Sequence, residues 1–188
     1  HVINGAKKIA VRNGIGKATN ATVAAISKDY DLAILELEKP YPKKYSINGK
    51  NFVEPKAGDD VISIGYPGIG MTFEQPTITQ GIISKVFDDK VGIFLTTAAI
   101  NSGNSGGPIF NLNGKLVGVS FAALDKKKVL EEEGQIPTDM GYAIKSNMIK
   151  KVFEHKKGVP VKSVKYDKSK IYEKMLPSIA LVVVKLDE

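Results

Sequence analysis

Short apolar stretches, each soon ended by glycine, proline or asparagine, recur through most of this chain. Strand-length segments with alternating apolar residues and turn signals between them are typical of β structure. The predicted strands are residues 7–11, 21–26, 32–37, 61–64, 77–86, 92–98, 108–111, 115–121 and 141–144. Residues 146–155 have apolar side chains at helical spacing and precede Gly158, so they predict a single late helix. The order of these elements predicts an all-β barrel or sandwich and not a βαβ fold.

The segments outside this pattern are polar. Residues 40–58 and 124–139 predict long loops, the second one charged. Residues 163–176 are polar with a helical tendency. Residues 179–186 form an apolar strand that either begins another domain or pairs with an exposed sheet edge.

Composition narrows the classes of function. The formal net charge is +7, and Arg12 is the only arginine, so the Arg-based readout of nucleic acids is not expected. No cysteine is present, which excludes disulfides and Cys-based metal sites. With only His1 and His155 as histidines, we expect no metal site and no cofactor. No apolar run reaches the length of a membrane span.

The segment Gly103-Asn104-Ser105-Gly106-Gly107-Pro108 lies between two predicted strands. Glycines beside a serine permit a tight turn and free backbone N–H groups, as a hydroxyl nucleophile requires. A plain glycine-rich loop is the alternative. A serine nucleophile also needs a base and an orienting carboxylate.

Three residues are candidates for those roles, and each also has an ordinary explanation. Asp31 precedes the buried segment 32–37, but it also fits the end of a turn. His1 by itself looks like a frayed end or a tag remnant. His155 lies near the end of the predicted helix, where a positive imidazole suits the helix dipole, so we interpret it as structural.

Four separate segments resemble the HtrA (Deg) family of serine proteases, which have the trypsin-like (chymotrypsin) fold. Residues 1–6 resemble the catalytic-histidine segment, 31–35 the aspartate segment, 98–108 the serine segment and 141–149 the closing strand and helix. Ser102 stands where proline is common in the family. The order His, Asp, Ser is that of the chymotrypsin-like fold.

The resemblance implies a serine endopeptidase with Ser105 as nucleophile, His1 as general base and Asp31 as its orienting carboxylate. The backbone N–H groups of Gly103 and Ser105 would form the oxyanion hole. Ala99, six residues before the serine, would be the floor of the substrate pocket. Val119, Ser120, Phe121 and Gly141 would be its walls. Such an apolar pocket predicts cleavage after small or aliphatic residues.

The resemblance also predicts the organisation of the chain. Residues 1–58 would be a partial first barrel with a connecting loop, 59–157 the second barrel with its closing helix, and 158–188 a tail. Because the catalytic histidine follows a third strand in this fold, an N-terminally truncated first barrel is expected, short of about three strands. The activity of the 188-residue piece by itself is left open. Segments 68–75, 99–104 and 124–139 would be regulatory loops or, for the last, a plain insertion.

The implied partners are polypeptides, in protein quality control outside the bacterial cytoplasm: periplasmic, secreted or membrane-associated. A trimer-type homo-oligomer and a PDZ domain outside this stretch fit the family. Two alternatives remain at this point. One is a catalytically silent peptide-binding or chaperone module on the same fold. The other is a differently specialised trypsin-fold enzyme, such as a Glu-specific or viral processing protease.

Overall fold

The structure is a computed structural model that describes residues 1–47, 51–67, 75–121, 140–152 and 167–186. His155, the predicted loop 124–139 and residues 68–74 of the predicted loop 68–75 lie outside the described residues. Ten strands and two α-helices are found in the described part of the chain.

The elements follow one another in the predicted order. The strands are β1 (Lys8–Asn13), β2 (Ala18–Ser27), β3 (Leu32–Leu37), β4 (Asp60–Gly65), β5 (Thr77–Val86), β6 (Ile93–Thr96), β7 (Pro108–Asn111), β8 (Leu116–Phe121), β9 (Gly141–Lys145) and β10 (Ala180–Lys185). Helix α1 spans Ser146–Val152 and helix α2 spans Lys168–Met175. The all-β prediction and the late helix are confirmed. The helical tendency of residues 163–176 is also confirmed: helix α2 lies within that segment and is capped by Asp167, whose side chain accepts a hydrogen bond from Lys170 N.

Strands β4 to β9 form a closed barrel in the order β4-β5-β6-β9-β8-β7. All neighbouring strands are antiparallel. Its core contains Val61, Ile83, Phe94 and Ile109, each almost completely buried. Closure removes free strand edges, so this barrel gives the chain a rigid frame.

The other sheet has four strands in the order β10-β1-β2-β3. The open sheet repeats part of the strand order of the closed barrel. Its consecutive neighbours β1, β2 and β3 correspond to β7, β8 and β9 of the barrel. Strand β10, which pairs with β1, corresponds to β4, which pairs with β7. Among the described residues the open sheet thus has four strands where the closed barrel has six, and the tail strand occupies one of the four positions. Of the two alternatives for that strand, pairing with an exposed edge is the one observed.

The β1–β2 and β7–β8 turns contain the same pattern of hydrogen bonds around an asparagine, which supports this correspondence. In the first, Asn13 Oδ1 accepts from Lys17 N at 2.9 Å, and Gly16 N donates to Asn13 O at 2.9 Å. In the second, Asn111 Oδ1 accepts from Lys115 N at 3.0 Å, and Gly114 N donates to Asn111 O at 3.0 Å. Both glycines have positive φ, which side chains other than glycine rarely adopt.

Helix α2 packs on the closed barrel. Its buried residues Ile171 and Met175 join the cluster of Ile62, Ile64 and Phe110. The tail therefore contacts the outside of the closed barrel through α2 and the open sheet through β10. No helix in the described ranges is long and apolar enough to cross a membrane.

Candidate active site

Asp31 occupies a sharp corner immediately before β3. Its φ is +48°, and it is the one non-glycine residue with positive φ in the described part of the chain. Asp tolerates the left-handed region better than most residues, because its short side chain bonds locally. An uncommon backbone conformation of this kind is a reason to look for function at the residue.

The imidazole of His1 lies against that carboxylate. His1 Nδ1 is hydrogen-bonded to Asp31 Oδ2, and the main-chain nitrogen of His1 donates to Asp31 Oδ1. Both side chains remain partly exposed, at 52% for His1 and 39% for Asp31. The structure thus brings together two residues that are 30 positions apart in sequence. With Nδ1 engaged, Nε2 is the nitrogen that stays available for proton transfer.

The corner that carries Asp31 packs against the second barrel through its neighbour Tyr30. A Cβ added at Gly92 would lie 2.9 Å from Tyr30 Cε1 and 2.9 Å from Met148 Sδ. Gly92 also has φ +71°. The close approach therefore depends on glycine, and it ties the His1–Asp31 corner to the barrel that holds Ser105.

Ser105 lies in the turn between β6 and β7 and is half-buried. Gly103 and Gly106, on either side of it, have φ of +93° and +84°. The turn is held by Asn104 N donating to Asn101 O at 2.9 Å and Gly107 N donating to Asn104 O at 2.8 Å. The glycines of the predicted motif are needed for this backbone, as the sequence indicates.

Strand β8 is hydrogen-bonded to the turn that contains Ser105. Gly106 N donates to Ser120 O, and Ser120 N donates to Gly107 O, each at 2.8 Å. The fully buried Ser120 hydroxyl lies 2.5 Å from Asn104 O and 3.1 Å from Gly107 O. Its side chain is thus directed at the serine turn.

Asn104 is a residue whose part in the site sequence reasoning missed. It is 2% exposed, and a Cβ added at Gly65 would lie 2.5 Å from its Oδ1. Within the described ranges this Oδ1 has no hydrogen-bond partner. The one sequence feature that could have indicated this part is the position of Asn104 inside the Gly-Asn-Ser-Gly-Gly motif.

Of the other predicted pocket residues, Ala99 follows β6, and the rest lie on the neighbouring strands β8 and β9. Ala99 is exposed, and its carbonyl accepts from Thr79 Oγ1 at 3.0 Å. Val119 and Phe121 lie on β8 and are half-buried. Gly141 begins β9, and a Cβ there would lie 2.2 Å from Ile100 Cγ1, so Ile100 and β9 are in close contact.

Residues 1–119 match the family described as the trypsin-like peptidase domain. This chain belongs to the trypsin-like peptidase family. It is 32% identical over 164 residues to the serine protease Do-like HtrA of Bacillus subtilis, covering 82% of the chain and 34% of that relative. It is 32% identical over 155 residues to the periplasmic pH-dependent serine endoprotease DegQ of Escherichia coli, covering 79% of the chain and 31% of that relative.

Solved structures agree with this membership. The serine endoprotease from Yersinia pestis superposes with a TM-score of 0.62 at 31% identity, over 81% of this chain and 49% of that one. The HtrA-type protease AlgW, solved with a decapeptide, gives 0.60 at 30% identity, over 79% and 43%. The resemblance to HtrA proteases and the two-barrel fold with an incomplete first barrel are confirmed. The chain spans about a third of the length of the curated relatives it matches.

Proposed function

We propose that the protein containing this chain is a serine endopeptidase with Ser105, His1 and Asp31 as its catalytic triad. The observation that carries the proposal is the engagement of His1 Nδ1 by the Asp31 carboxylate, in a family that includes serine proteases. Asp31 would hold the tautomer with the proton on Nδ1 and stabilise the imidazolium. Nε2 would then accept the Ser105 hydroxyl proton.

The reaction follows from those roles. Ser105 Oγ attacks the scissile carbonyl while His1 takes its proton, and the imidazolium then protonates the leaving amine. Water, activated by the same imidazole, releases the acyl group. The N–H groups of Gly103 and Ser105 would hold the oxyanion, and each such donor contributes roughly 10²- to 10³-fold to kcat.

The proposed substrate is an exposed polypeptide with a small or aliphatic residue before the cleaved bond. Ala99 has no charge to pair with Lys or Arg, and Val119 and Phe121 offer apolar walls. A cleavage profile dominated by Lys, Arg or Glu at that position would contradict this assignment.

The cellular setting is proposed from the relatives. Several of them are named periplasmic endoproteases, so we propose protein quality control outside the cytoplasm. A homo-oligomer and a PDZ domain elsewhere in the protein belong to the same proposal. We also propose 59–157 as the second barrel with its closing helix, after a first part at 1–58.

The test is hydrolysis of casein by the full-length protein and three variants. Ser105→Ala should abolish cleavage, and Asp31→Asn should lower kcat by about 10⁴-fold. Ser102→Ala is the matched control, because Ser102 is exposed in the same turn and should not matter. Equal cleavage by Ser105→Ala and the wild type would contradict the triad. Binding of unfolded casein without cleavage would support the silent peptide-binding module instead.

A further inference from the structure

The peptide unit between Asn104 and Ser105 has a carbonyl and an N–H group that make different interactions. Its carbonyl belongs to Asn104, and its N–H belongs to Ser105 and is a proposed oxyanion donor. A trans peptide is planar, so the carbonyl and the N–H point in opposite directions. Whatever fixes the direction of the Asn104 carbonyl therefore also fixes the direction of the Ser105 N–H.

The Ser120 hydroxyl is the side-chain group that contacts this carbonyl. Its Oγ lies 2.5 Å from Asn104 O, inside a fully buried environment. A hydroxyl carries one proton, so the nearer Asn104 carbonyl is favoured over Gly107 O at 3.1 Å. Gly107 N supplies the other hydrogen bond to Asn104 O, at 2.8 Å. The carbonyl is thus held by two donors that point in from β8 and from the turn itself.

The surroundings leave Asn104 little room to move. Its side chain is buried over Gly65, where even a methyl group would come within 2.5 Å of Oδ1. The backbone bonds between β8 and the turn involve Gly106 and Gly107 and do not depend on the Ser120 hydroxyl. Loss of the Ser120 hydroxyl would therefore remove one of the two hydrogen bonds to Asn104 O, let this carbonyl turn toward the remaining donor Gly107 N, and leave the rest of the turn attached.

We propose that Ser120 is a positioning residue that orients the Ser105 N–H toward the oxyanion, an inference that rests on the proposed function. Ser120 was predicted from sequence as a pocket wall, and the contacts of its hydroxyl give it this second task. Because the oxyanion forms only in the transition state, the hydroxyl should affect kcat and leave KM nearly unchanged.

The experiment compares the full-length wild type with Ser120→Ala and Ser63→Ala on a chromogenic peptide that ends in valine. Ser63 is a matched control, because it is a buried serine of the same barrel, and its Oγ has no partner in the described ranges. Ser120→Ala should lower kcat roughly tenfold to a hundredfold, with KM within about twofold and circular dichroism unchanged. Ser63→Ala should keep the wild-type kcat.

A wild-type kcat in Ser120→Ala would overturn the positioning role, as would a loss seen only in KM or an equal loss of kcat in Ser63→Ala. If Ser120→Ala does not fold, Ser120→Cys keeps the side-chain shape with a larger atom that is a weaker donor. A folded Ser120→Cys with reduced kcat supports the proposal, and one with wild-type kcat overturns it. Failure of the proposed function is distinguishable, because the wild type itself would then not cleave the peptide and would not react at Ser105 with a fluorophosphonate.

Discussion

Replacement of Ile171 by alanine tests whether helix α2 is part of the folded core. Ile171 is fully buried and packs with Ile62, Ile64 and Phe110 of the closed barrel. Removal of a buried isoleucine side chain costs about 2–5 kcal/mol, with the lower part of that range expected where the site can collapse. Because α2 lies on the outside of the barrel and can shift inward, we expect a loss of about 3 kcal/mol in the free energy of unfolding.

That loss corresponds to a melting temperature about 6–12 °C lower for a chain of this size. The assay is urea unfolding followed by far-ultraviolet circular dichroism, with melting curves as a second measurement. Glu173→Ala is the control, because Glu173 is exposed on the same helix. If Ile171→Ala unfolds at the same urea concentration as Glu173→Ala, α2 does not pack on the barrel as described.

Three further predictions concern single contacts. Asp89 accepts from Lys145 and Lys151, and these hydrogen bonds hold its pKa below the ordinary value. A carboxylate whose pKa is lower in the folded state stabilises the protein at pH values above its unfolded-state pKa. This stabilisation is lost as the pH falls through the folded-state pKa. Asp89→Asn should therefore lower the melting temperature at pH 7 and lose that effect toward acid pH, as a pH series of melting curves would reveal. Gly92→Ala should destabilise the protein and slow Ser105 labelling, because the methyl group meets Tyr30 and Met148; equal labelling would show that the corner does not matter. Asn13→Ala removes hydrogen bonds to Ile15, Lys17 and Pro177 and should cost about 2–4 kcal/mol in urea unfolding, whereas a loss below 1 kcal/mol would contradict this role.

The strands could be predicted from sequence because their signals are local. Alternation of apolar residues and the Asn-Gly turns at 13–14 and 113–114 predict the strand ends to within three residues. The glycines around Ser105 likewise predict a tight turn, which the positive φ values of Gly103 and Gly106 confirm.

The destination of the tail could not be predicted in the same way. β10 is an apolar strand wherever it pairs, and its partner β1 is more than 160 positions away along the chain. Pairing at that distance depends on which sheet edge is free, and a local pattern carries no such information. The same limit applies to Ser120, whose hydroxyl reaches the serine turn only through the β7–β8 pairing.

The pairing of His1 with Asp31 could be predicted only in part, unlike the strands, which have local signals, and the tail strand, whose partner has none. Neither residue has a local signal that separates it from a chain end or a turn, and the family resemblance supplied the roles. The structure adds the contact of Nδ1 with the carboxylate and the left-handed backbone at Asp31. The roles themselves remain a proposal.

The central claim is that Ser105 is an activated nucleophile, and covalent labelling tests it most directly. The full-length protein is treated with a fluorophosphonate at neutral pH, and the modified residue is identified by peptide mass spectrometry. The account predicts one label per chain, located on Ser105, with none in Ser105→Ala and much slower labelling in Asp31→Asn. A wild-type protein that stays unlabelled, or a label that persists in Ser105→Ala, would contradict it.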